Sequence, residues 1–449
     1  MGAVLSKEKK RRSGAVVQEV KVVESCMVAP SEQTPRHGLW LSPLDLMLVN
    51  RGHTPTVYFY RSESGDFFDV ARLKAAMAKA LVAFYPLAGR LGVGSRDGRL
   101  VIDCAGQGAL FVVARSDLAV DDFSTFKPSP ELRRLFVPRV DDYSPPVMCA
   151  VQVSFLKCGG VALGTALHHV AADAISAFHF FQTWSAFSRD DDAAVAALEP
   201  QFHDRTLLRA RSPPFVHPDA LTVFCPKLNL STEPSAGPVV SEAFDISKDQ
   251  VAALKSACIS GDGGRVSTFC AVSAHVWRCV CVARRLPPEA TTRLTFPASV
   301  RRSLRPPLPA GYFGNGIIWL GAAGQVRDVA SSDGLASTAS RIRGAVRRMD
   351  DELVRSAIDY FELTAEADSK PAPGRMAETE LRVISWLGMP VYDADFGWGK
   401  PLAMLRAEAE RAGFVYLMDG GQGAGSVHVV ICTEAAILSD FQRLLYAKF

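Results

Sequence analysis

The run Val161–Leu167 is apolar apart from Thr165 and stops abruptly at His168-His169. Four residues after the second His, Asp173 opens a stretch in which Ile175, Phe178, Phe181 and Trp184 recur at helical spacing. A short, almost wholly apolar run reads as a strand buried within a sheet, and a three-to-four residue period reads as a helix. The chain is therefore expected to deliver polar side chains at the end of a buried strand. His169 would stand in the turn that follows, where it can face a cleft without breaking the strand ladder.

Other segments add strands and helices without a regular βαβ alternation. Val20 to Val28 and Thr54 to Tyr60 read as strands, as do Leu100 to Asp103 and Leu110 to Ala114. Asp69 to Phe84 carries Val70, Leu73, Met77 and Leu81 at helical period, and Tyr85-Pro86-Leu87-Ala88-Gly89 closes it. Lys248 to Ala257 and Thr268 to Arg284 read as helices, the second capped by Ser267 or Thr268. This mixture predicts an α+β fold. With 449 residues, two domains of about 200 residues each are the natural division. The Asp190-Asp191-Asp192 run and the Ser212-Pro213-Pro214 cluster mark a connector. The predicted partition is a disordered basic tail over 1–19, an N-terminal domain over 20–187, a linker over 188–214 and a C-terminal domain over 215–449.

Composition narrows the function. The 50 basic and 47 acidic residues nearly cancel, which argues against a nucleic-acid partner. No apolar run reaches the length of a spanning helix. The ten Cys are scattered, and the pair Cys279 and Cys281 is too tight for a C-x-x-C site, so reduced thiols in the cytosol are expected. The N-terminus, Met1-Gly2-Ala3-Val4-Leu5-Ser6, fits a myristoylation pattern and runs into Lys7, Lys9, Lys10, Arg11 and Arg12. One acyl chain and a basic cluster are two signals for peripheral membrane contact; a plain disordered basic tail is the simpler reading.

His is the side chain whose ordinary pKa lies nearest neutrality, so His169 is a candidate general base, and a satisfied core histidine is the competing reading. Metal binding by His168, His169 and Asp173 is the poorer choice, because adjacent residues on a strand point to opposite faces. A second string, Asp395-Phe396-Gly397-Trp398-Gly399, should recur by chance in roughly one chain in ten thousand. Its DFG does not make a kinase, since the Gly-rich loop, strand Lys and H-R-D loop are missing. The glycines at 420, 421, 423 and 425 lack phosphate-loop spacing and suit a hairpin.

HHVAADA and DFGWG together, in this order, resemble the plant BAHD family of acyl-CoA-dependent acyltransferases. The likeness extends through Arg301-Arg302-Ser303-Leu304-Arg305-Pro306-Pro307-Leu308-Pro309, Gly311-Tyr312-Phe313-Gly314-Asn315, HTPTVYFY, YPLAGR and STFCAVSAHVWRC, closest to hydroxycinnamoyltransferases. It departs at Ala174, where most members carry Gly. The resemblance implies a two-domain chloramphenicol-acetyltransferase-like fold with a channel between the domains. It implies His169 as general base, Asp173 paired with Arg301 in structural support, and Trp386 as oxyanion donor through its indole N–H. Asp395 and Trp398 would be supporting residues away from the base, and Ser267 and Thr268 would lie where the family binds coenzyme A. Acyl-CoA enters as a substrate, so no cofactor or metal is implied, and the partners are an acyl-CoA donor and a small-molecule acceptor. A cytosolic monomer of plant secondary metabolism is expected.

The acceptor is read from what is missing. Shikimate-using members carry Thr two residues before the Trp and an upstream Arg that clamps the acceptor carboxylate. Here the first position is Ile384, and the second falls in Lys370 to Gly374, with Arg375 the nearest substitute. Losing a charge-assisted bond costs about 1.5 to 3 kcal/mol. An amine or a less polar alcohol is therefore preferred over shikimate or quinate. A condensation domain of a peptide synthetase and a non-catalytic acyl-CoA-binding protein are the rival classes; DFGWG argues against the first, and intact His169 and Trp386 against the second.

Overall fold

The computed structural model describes residues 19–447 apart from 62–66, 96, 124–126, 197, 232–236, 260–264, 332–333, 365–374, 409–410 and 421–424. The basic tail, the loop Gly261 to Gly264 and the stretch Lys370 to Gly374 thus lie outside the described residues.

Two six-stranded sheets form the body. The first runs Val20–Val28, Ala109–Ser116, Cys149–Leu156, Val161–His168, His53–Tyr60, Ala403–Arg406. All its pairings are antiparallel except Ala109–Ser116 with Cys149–Leu156. The second runs Val239–Ile246, Val427–Glu434, Phe414–Asp419, Glu380–Ser385, Thr291–Ser299, Ile317–Gln325, with Glu380–Ser385 parallel to both of its neighbours. This mixed α/β arrangement agrees with the expected α+β class.

Val161–His168 is buried at all eight positions. On one side of the sheet lie Ala174–Ser188 and Val70–Ala83, packed on each other. The helix Pro130–Phe136 comes so close to the strand that a Cβ at Gly164 would sit 1.7 Å from the Phe136 carbonyl oxygen. Glycine is needed there for that approach. The helix Ala174–Ser188 begins at Asp173, whose carboxylate accepts from Ser176 N as an N-cap. Phe178, Phe181 and Trp184 are buried, and the Trp184 indole donates to Leu73 O at 2.9 Å. Each such aromatic contributes roughly 1.5–3 kcal/mol of burial, an upper figure because the unfolded chain is itself partly collapsed. Ile175 departs from the stripe: it is 39% exposed and borders the cleft described below. Thr268–Ala283 covers the second sheet with Leu335–Arg347 and Leu438–Leu445.

Two features lie across the boundaries read from the sequence. Ala403–Arg406, placed by sequence in the C-terminal domain, crosses to the first sheet and pairs with His53–Tyr60, which would otherwise be its edge. Its Ala-Met-Leu run is buried there, and the pairing satisfies main-chain groups that an open edge would leave exposed. The segment 188–214, read as a linker, runs in part through the interior. Phe202 N donates to Gly311 O, Phe313 N donates to Phe202 O, and Arg205 is 1% exposed. Charge runs and prolines flag its two ends, but its middle is threaded into the interior.

Candidate active site

The turn between Val161–His168 and Ala174–Ser188 sends its two histidines into different surroundings. His168 is buried, stands edge to face with His53 at 4.9 Å, and accepts from Val170 N through Nδ1 at 3.3 Å. Burial, with His53 and His169 adding to it, pulls its pKa down from 6.5 to about 3. It is thus a neutral core histidine. His53 is likewise lowered by burial, and it lies 2.7 Å from Val147 O through Nε2. His169, by contrast, is half-buried and faces a cleft between the two sheets.

That cleft has a volume of about 150 Å³ and opens to solvent. The first sheet lines it with alternate residues, Thr54, Thr56 and Tyr58 on one strand and Thr165 and Leu167 on the next. Residues i and i+2 share a face of a strand, so this is a continuous wall. Ile175, Phe178 and Phe181 come from the helix. The second sheet and its loops give Trp319, Ile384, Ser385, Trp386 and Tyr416, and the crossing strand gives Met404 and Arg406.

Among the described lining residues, one side chain suits proton transfer near neutrality. Arg51 and Arg406 carry guanidiniums, which are donors only and have no lone pair to accept a proton. Tyr58 is pushed above its usual phenol range by burial. Asp173 borders the cleft but both its oxygens are occupied: Oδ2 by Arg301 Nη1 at 2.7 Å and Gly316 N at 2.9 Å, Oδ1 by Arg301 Nη2 at 3.0 Å and Ser176 N at 3.0 Å. Burial alone would raise its pKa, but the Arg301 charge and these hydrogen bonds hold it below the usual carboxylate range. His169 remains.

Trp386 follows the strand Glu380–Ser385, donates its main-chain N–H to Leu417 O at 2.8 Å, and sets its indole edge to face against Phe178 at 5.8 Å. It shares the cleft with His169 and Ile384. Arg375 does not line the cleft; it lies 3.3 Å from Glu378. Ser267 and Thr268 also stand away from the lining, where Ser267 Oγ accepts from Cys270 N at 3.1 Å as a helix cap.

The DFGWG loop lies outside the cleft lining. Asp395 Oδ1 accepts from Gly397 N at 2.8 Å and Gly399 N at 3.0 Å, and Arg189 donates to Asp395 O. Phe396 packs on Trp184 with ring centroids 4.7 Å apart, and Arg72 caps the Trp398 ring at 4.4 Å. Sequence reasoning did not pick out Arg51, Trp319, Arg406 or Tyr416 in the cleft. Nor did it find the buried Asp45, Arg205 and Asn315 behind the His169 turn. Ser42-Pro43-Leu44-Asp45 was readable as a helix start, and it forms a capping box with Asp45 at N3. Nothing local reveals that the same carboxylate also meets Arg205 at 3.1 Å.

Two six-stranded sheets around a shared cleft define the chloramphenicol-acetyltransferase-like fold. The structure of vinorine synthase superposes with a TM-score of 0.73 at 23% identity, covering 96% of this chain and 98% of that one. F. graminearum TRI101 in complex with coenzyme A and deoxynivalenol gives 0.75 at 16% identity over 90% and 96% of the two chains. Residues 18–447 match the family described as Transferase family, and the chain belongs to this family, that of the BAHD acyltransferases. Putrescine hydroxycinnamoyltransferase 1 of Oryza sativa subsp. japonica is 46% identical over 96% of this chain and 99% of its own length. Shikimate O-hydroxycinnamoyltransferase of Nicotiana tabacum is 41% identical over 95% and 99%. Among the described residues no helix is long and apolar enough to cross a membrane.

Proposed function

We propose that the protein transfers a hydroxycinnamoyl or benzoyl type acyl group from a coenzyme A thioester directly to an amine or hydroxyl of a small plant metabolite. The observation that carries this reading is the placement of His169: a half-buried imidazole in a cleft whose one described carboxylate is fully engaged. His169 removes the proton as the acceptor attacks the thioester carbonyl. The C–S bond then breaks, and the proton is returned to the departing thiolate. The Trp386 indole N–H steadies the oxyanion between those events. The role of Ser267 and Thr268 toward coenzyme A rests on family likeness alone. The enzyme is read as a cytosolic monomer.

For the acceptor, we favour an amine over shikimate or quinate. Ile384 presents an apolar wall where a hydroxyl would greet shikimate, and the relative from rice named for putrescine supports the choice. The second reading, a shikimate or quinate O-transferase, is favoured by Arg51 and Arg406, which bring two cations to the cleft. Competition decides between them. Offered p-coumaroyl-CoA with equal shikimate and an aromatic amine, the enzyme is expected to form mainly the amide. An alkylammonium group must lose its proton before attack, so with an alkylamine as acceptor amide formation should also rise with pH above neutrality, toward that amine's own pKa near about 10. Predominant shikimate ester would establish the second reading.

A further inference from the structure

All the main-chain polar groups of His169, Val170 and Ala171 have partners. Their N–H groups donate to Gly52 O at 2.8 Å, His168 Nδ1 at 3.3 Å and His168 O at 2.9 Å. Asn315 Nδ2 donates to His169 O at 2.9 Å and to Val170 O at 3.3 Å, while Arg205 donates to Val170 O at 3.1 Å and to Ala171 O at 2.7 Å. Carbonyls in a surface turn would ordinarily be left to water, but here side chains from two distant parts of the chain take all three. Asn315 and Arg205 are in turn joined through one oxygen. Asp45 Oδ1 accepts from Asn315 N at 3.0 Å, Asn315 Nδ2 at 2.9 Å and Arg205 Nη1 at 3.1 Å. Because its three neighbours are all acceptors, the Asn315 amide can sit only with its nitrogen toward the turn.

Asp45 and Asn315 are 0% exposed and Arg205 is 1% exposed. Burying a charge pair costs several kcal/mol of desolvation per ion, and apolar residues of similar volume are often as stable or more so. Stability alone therefore gives a weak reason for an Asp–Arg–Asn cluster in this place. Its contacts fall on the main chain of the proposed base, and they leave His169 little freedom apart from its side-chain torsions. A displacement of about 1 Å in a reacting group is enough to lose roughly a hundredfold in rate.

We propose that Asn315, anchored by Asp45 and Arg205, is a positioning residue that aims the His169 imidazole into the cleft. This rests on the reading of His169 as general base. Asn315 touches neither substrate nor the transferred proton; it acts through the carbonyls of His169 and Val170. Asn315→Ala removes those donors. It is expected to lower kcat about ten- to a hundredfold while leaving KM for p-coumaroyl-CoA within about twofold.

The test is run on the full chain with p-coumaroyl-CoA and an aromatic amine, well below the thermal midpoint of each variant. Alongside kcat and KM, the ring resonances of isotope-labelled histidine are followed by NMR, the His169 signal being identified by its loss in His169→Ala. The expected result is a shifted or split His169 resonance in Asn315→Ala together with the fall in kcat. Unchanged kcat and an unchanged His169 resonance, with only the midpoint lowered, would overturn the proposal and leave Asn315 a purely structural residue. Should Asn315→Ala fail to fold, Asn315→Ser, which keeps a polar side chain too short to hold both carbonyls and leaves the Asp45–Arg205 pair intact, carries the same two readouts. A severalfold fall in kcat with a shifted resonance supports the proposal, and neither change defeats it. Full turnover in His169→Ala would instead defeat the underlying reading of the base, whatever Asn315 does.

Discussion

The His169 turn and the DFGWG loop are both short, both tied down by arginines, and both conspicuous in the sequence, yet they are built differently. The turn is enclosed: the guanidiniums of Arg205 and Arg301 face buried carboxylates, and the ion pairs Asp45–Arg205 and Asp173–Arg301 close at 3.1 and 2.7 Å. The loop is held at the surface. Arg72 and Arg189 donate there to the main-chain oxygens of Phe396 and Asp395, and Arg72 covers the Trp398 ring, while Gly397 and Gly399 have φ of +99° and +95°. The lesson is that the rarer string in sequence is not the one nearest the chemistry. A sequence pattern is restricted wherever backbone geometry is restricted, and DFGWG is restricted by positive φ and aromatic packing at a seam, with none of its residues in the cleft lining.

Breaking an enclosed clamp should therefore cost more than straining the surface loop. Asp173→Asn leaves the Arg301 guanidinium buried without its charge partner, and a loss of about 3–5 kcal/mol is expected in chemical denaturation. A loss below about 1 kcal/mol would show that water reaches the pair.

The next effect sharpens the turn itself. His168 is held neutral in the fold, with its pKa near about 3, whereas the unfolded chain takes up a proton below about 6.5. The unfolded state then binds more protons, so stability falls as pH drops from about 6.5 toward about 3 and is unaffected above that window. His203 and His275, lowered by burial to about 4, add to the same trend. By about pH 4 the His168 contribution is of the order of 3 kcal/mol. His168→Asn, which keeps an acceptor for Val170 N, should flatten the slope in a pH series of unfolding curves. An unchanged slope would assign the acid sensitivity elsewhere.

On the loop side, Gly397→Ala places a Cβ 2.2 Å from Arg72 Nη2 and at a φ that side chains disfavour. Because the obstacle is the end of a flexible side chain, the cost should be about 1–2 kcal/mol, mostly backbone strain. KM for both substrates should stay unchanged. A rise in KM would mean that the loop communicates with the cleft.

How much of this was legible depended on range. Lys248–Ala257, Val70–Ala83 and Thr268–Ala283 announce themselves by period and by a capping residue, Ser247, Asp69 and Ser267, each accepting from a main-chain N–H of the first turn. The strand before His168 was visible because it is apolar at nearly every position, and its burial on both faces follows. Ala403–Arg406 was not, since four residues between loops carry too little pattern to tell which sheet they join. The family resemblance led to His169, Asp173, Arg301 and Trp386. The second clamp escaped because Asp45, Arg205 and Asn315 meet only in the folded chain, and Arg205 sits in a segment whose Asp and Pro clusters read as a linker.

The central claim is that His169 performs the proton transfer, and it is tested most directly by steady-state coenzyme A release from p-coumaroyl-CoA in the presence of an aromatic amine, comparing the wild type with His169→Ala. The account predicts a variant with wild-type thermal midpoint and acyl-CoA binding whose turnover is lower by about a hundredfold or more. Turnover within a fewfold of the wild type in that folded, substrate-binding variant would contradict it.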